Sequence, residues 1–164
     1  MQAWLVVLVA GTLGVGQQVA PLRPLLDVSS QVSADRVAVG ERFTITLELT
    51  PAPKIHVYAP GVVGYKPIAF TVQPQRGLVI RGLTYPPSET YFYAPLKETV
   101  AVYQKPFRIV QELALDPSLS GRAAPKEAGT IVVRGTLTYQ ACNDRVCFPP
   151  RTVPMMWTVA IKES

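Results

Sequence analysis

Two cysteines, Cys142 and Cys147, are the side chains whose type and spacing point most directly to chemistry in this chain of 164 residues. They bracket Asn143-Asp144-Arg145-Val146, and a turn containing Asn and Asp can bring the two sulfurs within bonding distance. In an exported protein such a pair is expected as a disulfide. Two roles then stand open. A loop this short gives about 2 kcal/mol by chain-entropy arguments, near the low end for a disulfide, and a staple between distant strands would stabilise more. That tilts toward a bond made to be opened, but the spacing fits a structural staple as well. Exchange needs a thiolate, so cations near the pair matter. Arg145 and Arg151 are placed to supply them and Asp144 to oppose them, while each arginine also reads as an ordinary turn cation in water.

His56 is the sole histidine. A lone histidine is more often a hydrogen-bonded structural residue than an acid–base group. Together with the cysteines it makes three soft ligands without a fourth His or Cys, so neither a metal nor a cofactor is expected. No Gly-rich phosphate loop leads from a strand into a helix, and no Gly-x-Ser-x-Gly elbow occurs. Carboxylates are scattered without a paired spacing, which leaves hydrolase and nucleotide-binding functions unsupported.

The elements that must hold the pair are strands. Phe43, Ile45, Leu47 and Leu49 alternate with Thr44, Thr46 and Glu48, and Ile131, Val133, Leu137 and Tyr139 with Arg134, Thr136 and Thr138. Val153, Met155, Trp157, Val159 and Ile161 form a third stripe, with Met156 on the opposite side. Period two is the mark of strands with one buried and one wet face. Weaker strand candidates are Lys54–Ala59, Ile68–Gln73, Leu78–Tyr85, Thr99–Gln104 and Phe107–Leu115, separated by Gly and Pro clusters. With 16 prolines, 48% hydrophobic and 16% charged residues, the chain is neither a polyelectrolyte nor a long-helix protein. Eight or so short strands predict an all-β antiparallel sandwich. The net charge is +5, yet no two basic residues are adjacent, so no nucleic-acid tract is visible.

Met1–Ala20 carries no charged side chain, and Trp4–Val9 is a continuous apolar run. It is short for a bilayer span and suits a secretory signal, with Gly16 or Ala20 as cleavage points. Residues 21–26 read as a linker and 27–164 as one domain. The mature chain is expected to have no membrane span and to work in the periplasm or otherwise outside the cytoplasm.

Leu137-Thr138-Tyr139-Gln140-Ala141-Cys142, followed by Val146-Cys147-Phe148-Pro149-Pro150, closely resembles the active-site segment of the N-terminal periplasmic (disulfide bond corrector) domain of DsbD-type thiol:disulfide interchange proteins. His56-Val57-Tyr58 resembles the family's upstream aromatic element beside the cysteines, and Tyr91-Phe92-Tyr93 its cap segment. The resemblance covers Asp27 to Lys162, and only the cysteine segment is specific. It implies an immunoglobulin-like sandwich and thiol–disulfide exchange, with electrons relayed between thioredoxin-like proteins. It further implies Cys147 as the exchanging sulfur, Cys142 as the resolving one, Phe92 and Tyr93 as cap candidates, and His56, Tyr58 and Tyr139 as site-lining residues. Full-length DsbD-type proteins continue into a membrane domain and a thioredoxin-like domain. This chain stops at Ser164, so its electron source is expected to be a separate protein unless the chain is a fragment. The competing expectation is a non-catalytic immunoglobulin-like binding module with a structural disulfide, meeting partners through strand edges.

Overall fold

The structure, a computed structural model, describes residues 24–94, 96–119 and 129–162. The expected signal segment, residues 1–20, lies outside them. The strands are β1 (Leu26–Val32), β2 (Arg36–Val37), β3 (Arg42–Pro51), β4 (His56–Tyr58), β5 (Ala69–Val72), β6 (Leu78–Thr84), β7 (Glu89–Tyr93), β8 (Glu98–Tyr103), β9 (Phe107–Leu115), β10 (Thr130–Tyr139), β11 (Ala141–Cys142) and β12 (Arg151–Ile161). A single 3-10 turn among the described residues, Pro117–Leu119, interrupts them. Among the described residues no helix is long and apolar enough to cross a membrane.

Two four-stranded sheets, β1-β3-β9-β6 and β2-β12-β10-β5, enclose the main core. Pairing is antiparallel except for the short β2–β12 contact. The three alternating stripes supply the inner faces: Phe43, Ile45, Leu47 and Leu49 from β3, Ile131, Val133 and Leu137 from β10, and Trp157, Val159 and Ile161 from β12 are all buried. The Trp157 indole also donates to the Ser30 hydroxyl at 3.0 Å, tying one sheet to the other. This is the immunoglobulin-like β-sandwich.

Gly135 sits on the core face of β10, where a Cβ would lie 2.9 Å from Phe70 and 3.0 Å from Trp157. Those two rings meet edge to face, 6.0 Å apart, in the space a side chain would fill. A second adjustment occurs where β6 slips register against β9 between Ile80 and Leu83. The buried Gln111 amide donates to the Arg81 and Gly82 carbonyls there, satisfying groups the bulge takes out of the ladder.

A third sheet, β11-β4-β8-β7, extends from the sandwich. Two of its strands continue the other two sheets: β4 follows β3 after the turn Ala52–Ile55, and the edge strand β11 follows β10 after Gln140 alone. The small sheet is therefore anchored in both layers. β1, β2, β7 and β11 fall outside the segments that the apolar pattern of the sequence marks as strands. β1 starts at Leu26, which is buried and so belongs to the core rather than to the linker. Most of β1 is polar because it is an edge strand paired only with β3.

Candidate functional site

The site grows out of the end of β10. Gln140 separates β10 from β11, and its side-chain amide donates to the Phe148 carbonyl at 3.0 Å. Phe148 N–H in turn donates to the Ala141 carbonyl, so the chain returns alongside itself and Cys142 faces Cys147. Between them the Asn143 side-chain oxygen accepts from the N–H groups of both Arg145 and Val146 at 2.9 Å. This Asx-type turn is what Asn at that position favours. It closes the Cys142–Cys147 disulfide, with the Cα atoms 4.0 Å apart.

The two sulfurs have unlike surroundings. Cys142 is 0% exposed, within a cluster that includes Tyr58, Val102 and Tyr91. Cys147, on the returning limb after the exposed Val146, is open to solvent. The Tyr58 hydroxyl lies 3.6 Å from Cys147 Sγ, within hydrogen-bonding range of a sulfur.

The register explains the grouping. Cys142 is opposite His56, Tyr58 opposite Val102, and Val100 opposite Tyr91. Alternation then places Cys142, His56, Tyr58, Val102, Val100, Tyr91 and Tyr93 on one face of the third sheet. Ala141, Val57, Tyr103 and Ala101 lie on the other face and pack into the main core. One face packs into the sandwich and the other carries the disulfide.

Two tyrosines from outside β4 close over that second face, each held by a carboxylate. Tyr65, in the β4–β5 loop, stacks on Tyr58 at 4.2 Å and donates to Glu98 at 2.6 Å. Gly61 and Gly64, both at positive φ, let the loop turn back to deliver it. Tyr91 packs on the His56 ring at 4.5 Å and donates to Asp144, inside the disulfide turn, at 2.7 Å. These bonds push both phenols up to about 12, because ionising either would lose a donor bond to a carboxylate. Burial pushes Tyr58 up as well. His56, only 3% exposed, is pushed below the usual histidine range by burial, partly opposed by the Asp144 charge.

The family model for the N-terminal domain of the thiol:disulfide interchange protein DsbD matches residues 24–155. The chain belongs to that family. Its disulfide hairpin is thus that of a thiol–disulfide interchange module. Among solved structures, the reduced N-terminal domain of DsbD from Neisseria meningitidis is similar, with 18% identity, TM-score 0.48, and coverage of 81% of this chain and 88% of that one. The N-terminal periplasmic domain of ScsB from Proteus mirabilis has 15% identity and TM-score 0.51, over 88% of this chain and 49% of that one. The chain thus spans about half of the ScsB structure, and the likeness is one of fold. No curated protein matches the chain.

Within this DsbD-type domain the expected site residues divide. Cys142, Cys147, His56 and Tyr58 come together. Tyr93 shares their face, close enough for its charge to raise the pKa values of Tyr58, Tyr65 and Tyr91. Phe92 does not share it: strand alternation turns it to the opposite side of β7, opposite Thr99 and 59% exposed. Tyr139 is also displaced from the site, packing instead in the main core at the end of β10. Arg145 is exposed in the turn, and Arg151 lies opposite Tyr139 in the β10–β12 ladder. Sequence reasoning missed Tyr65 and Glu98, and gave Tyr91 no role of its own. Alternation within Tyr91-Phe92-Tyr93 was the available signal that its outer two residues face one way and Phe92 the other.

Proposed function

We propose that this domain relays electrons outside the cytoplasm, its Cys142–Cys147 pair exchanging with thioredoxin-like proteins through Cys147. The observation that carries this reading is the contrast between the enclosed Cys142 and the open Cys147. A partner thiolate reaches Cys147 Sγ, forms a mixed disulfide and expels Cys142 as the leaving thiolate; a second partner thiolate then frees Cys147. In the opposite direction the reduced Cys147 attacks an oxidised partner and Cys142 resolves the intermediate. Tyr58 at 3.6 Å is placed to hydrogen-bond the charge that develops on Cys147. Tyr65, Tyr91 and Tyr93 serve as the cover, in place of Phe92.

Beside Tyr65 a groove of about 560 Å³ runs along Val63, Leu96 and Val100, and Val63 and Leu96 are exposed. Such an apolar flank suits a protein partner better than a small thiol. The extracytoplasmic location is supported by the apolar leader and by the disulfide itself. The similar ScsB domain is described as periplasmic.

The test is trapping. Cys142→Ala, which keeps Cys147, accumulates a mixed disulfide with a thioredoxin-like protein carrying a single active-site cysteine, and Cys147→Ala does not. Equal trapping by both variants overturns the division of roles. A disulfide that no dithiol protein reduces overturns the relay and leaves a binding domain with a staple.

A further inference from the structure

Exchange through Cys147 leaves the other sulfur with a difficulty. Cys142 is enclosed by apolar and aromatic groups, which favour the neutral thiol over the thiolate needed to close the ring. Directly opposite it on the neighbouring strand is His56, the sole histidine. Opposed residues of an antiparallel pair hold their Cβ atoms about 5 Å apart, and both side chains are buried on the same face. The imidazole is fixed by rings on two sides, Tyr58 edge-on at 5.5 Å and Tyr91 at 4.5 Å. Tyr91 is itself tied to Asp144.

We propose that His56 takes the proton from the Cys142 thiol in the step that re-forms the disulfide. The proposal rests on the reading that Cys147 exchanges with the partner. When the mixed disulfide between Cys147 and a partner stands, the Cys142 S–H proton passes to the neutral imidazole. The resulting thiolate attacks Cys147 Sγ, the Cys142–Cys147 bond forms, and the bond to the partner breaks. The partner sulfur leaves as a thiolate and is reduced, the cysteine pair is oxidised by two electrons, and the imidazolium then releases its proton to water.

The surroundings suit that role. Tyr58 faces the ring from its own strand and Tyr91 from β7, and the Asp144 charge acts on it from the hairpin; β8 contributes Val100 and Val102, with Glu89 paired opposite Val102. Glu89 is engaged by Lys105 at 3.0 Å, and Lys54 lines a cleft beside Asp144. Burial keeps the ring neutral and ready to accept, while the Asp144 charge favours the imidazolium once it forms. Tyrosine is a poor base at neutral pH, since its phenol is already protonated.

The experiment mixes the reduced protein with one equivalent of 5,5′-dithiobis(2-nitrobenzoate) and follows thionitrobenzoate release by stopped flow. The first release reports attack by Cys147 and the second reports ring closure by Cys142. His56→Phe and His56→Gln are expected to leave the first release unchanged and to slow the second by about a hundredfold at neutral pH. In both variants the second rate should climb with pH toward the range of a buried thiol, whereas the wild-type rate levels off once its histidine is neutral. A second release that keeps the wild-type rate and pH profile in either variant overturns the proposal. Absence of the first release in Cys142→Ala, which retains only Cys147, overturns instead the assignment of Cys147 on which it rests.

Discussion

Tyr91 and Asp144 are joined across the mouth of the site, the tyrosine hydroxyl donating to the carboxylate at 2.7 Å. One partner belongs to the edge strand β7 and the other to the turn between the cysteines. The bond therefore tethers the turn between the cysteines to the sheet.

Tyr91→Phe keeps a ring over His56 and removes only the tether. Reduction of the disulfide by dithiothreitol should quicken by about threefold or more, and stability should fall by about 1 kcal/mol, as for one net hydrogen bond. Thiol-release kinetics and urea unfolding check the two outcomes. Asp144→Asn retains an acceptor and should stay close to wild type, which separates the bond from the charge. Because the Tyr91 phenol is pushed up to about 12, its tether is complete below the ordinary tyrosine range and is lost as the pH rises through the folded value.

His56 sets a second dependence on pH, in the opposite sense. Its folded pKa lies below that of the unfolded chain, so the unfolded chain binds the proton first as the solution is acidified. Stability is whole above about pH 6.5, the ordinary histidine value, and declines as the pH falls through the folded value. His56→Phe should flatten urea midpoints across this window. Glu41, whose pKa is lowered by bonds from Ala38 N–H and Lys162, titrates further toward acid and should leave that comparison untouched.

Gly135→Ala tests the core. The added methyl meets Phe70 and Trp157 at about the distance where one ring must move, and overpacking of this kind costs about 1–3 kcal/mol. The urea midpoint should drop while the rate of disulfide reduction is unchanged, since the rings concerned lie in the main core and not in the cluster around Cys142.

The sandwich was legible because β3, β10 and β12 are long strands with one face in the core, and burial on one face imposes a period of two. β1 was not, since an edge strand of Asp, Ser and Gln carries no such constraint. At the site, the cysteine spacing and the Asn turn were readable locally. The unequal exposure of Cys142 and Cys147 was not, because it depends on β11 pairing with β4, a contact between residues more than eighty positions apart. The same long-range pairing sets His56 against Cys142. Tyr65 and Glu98 meet only once the β4–β5 loop has folded back, and no local pattern announces that. Phe92 shows the converse: it sits in the right segment, and its strand parity alone removes it from the site.

The third sheet, with one side rooted in the sandwich and the other given over to the sulfurs, divides labour in a way that bears on endurance. Around the disulfide lie a handful of tyrosines and valines and a short hairpin, while the large apolar interior packs separately. A disulfide held in this way can open and close while the sandwich beneath it stays folded.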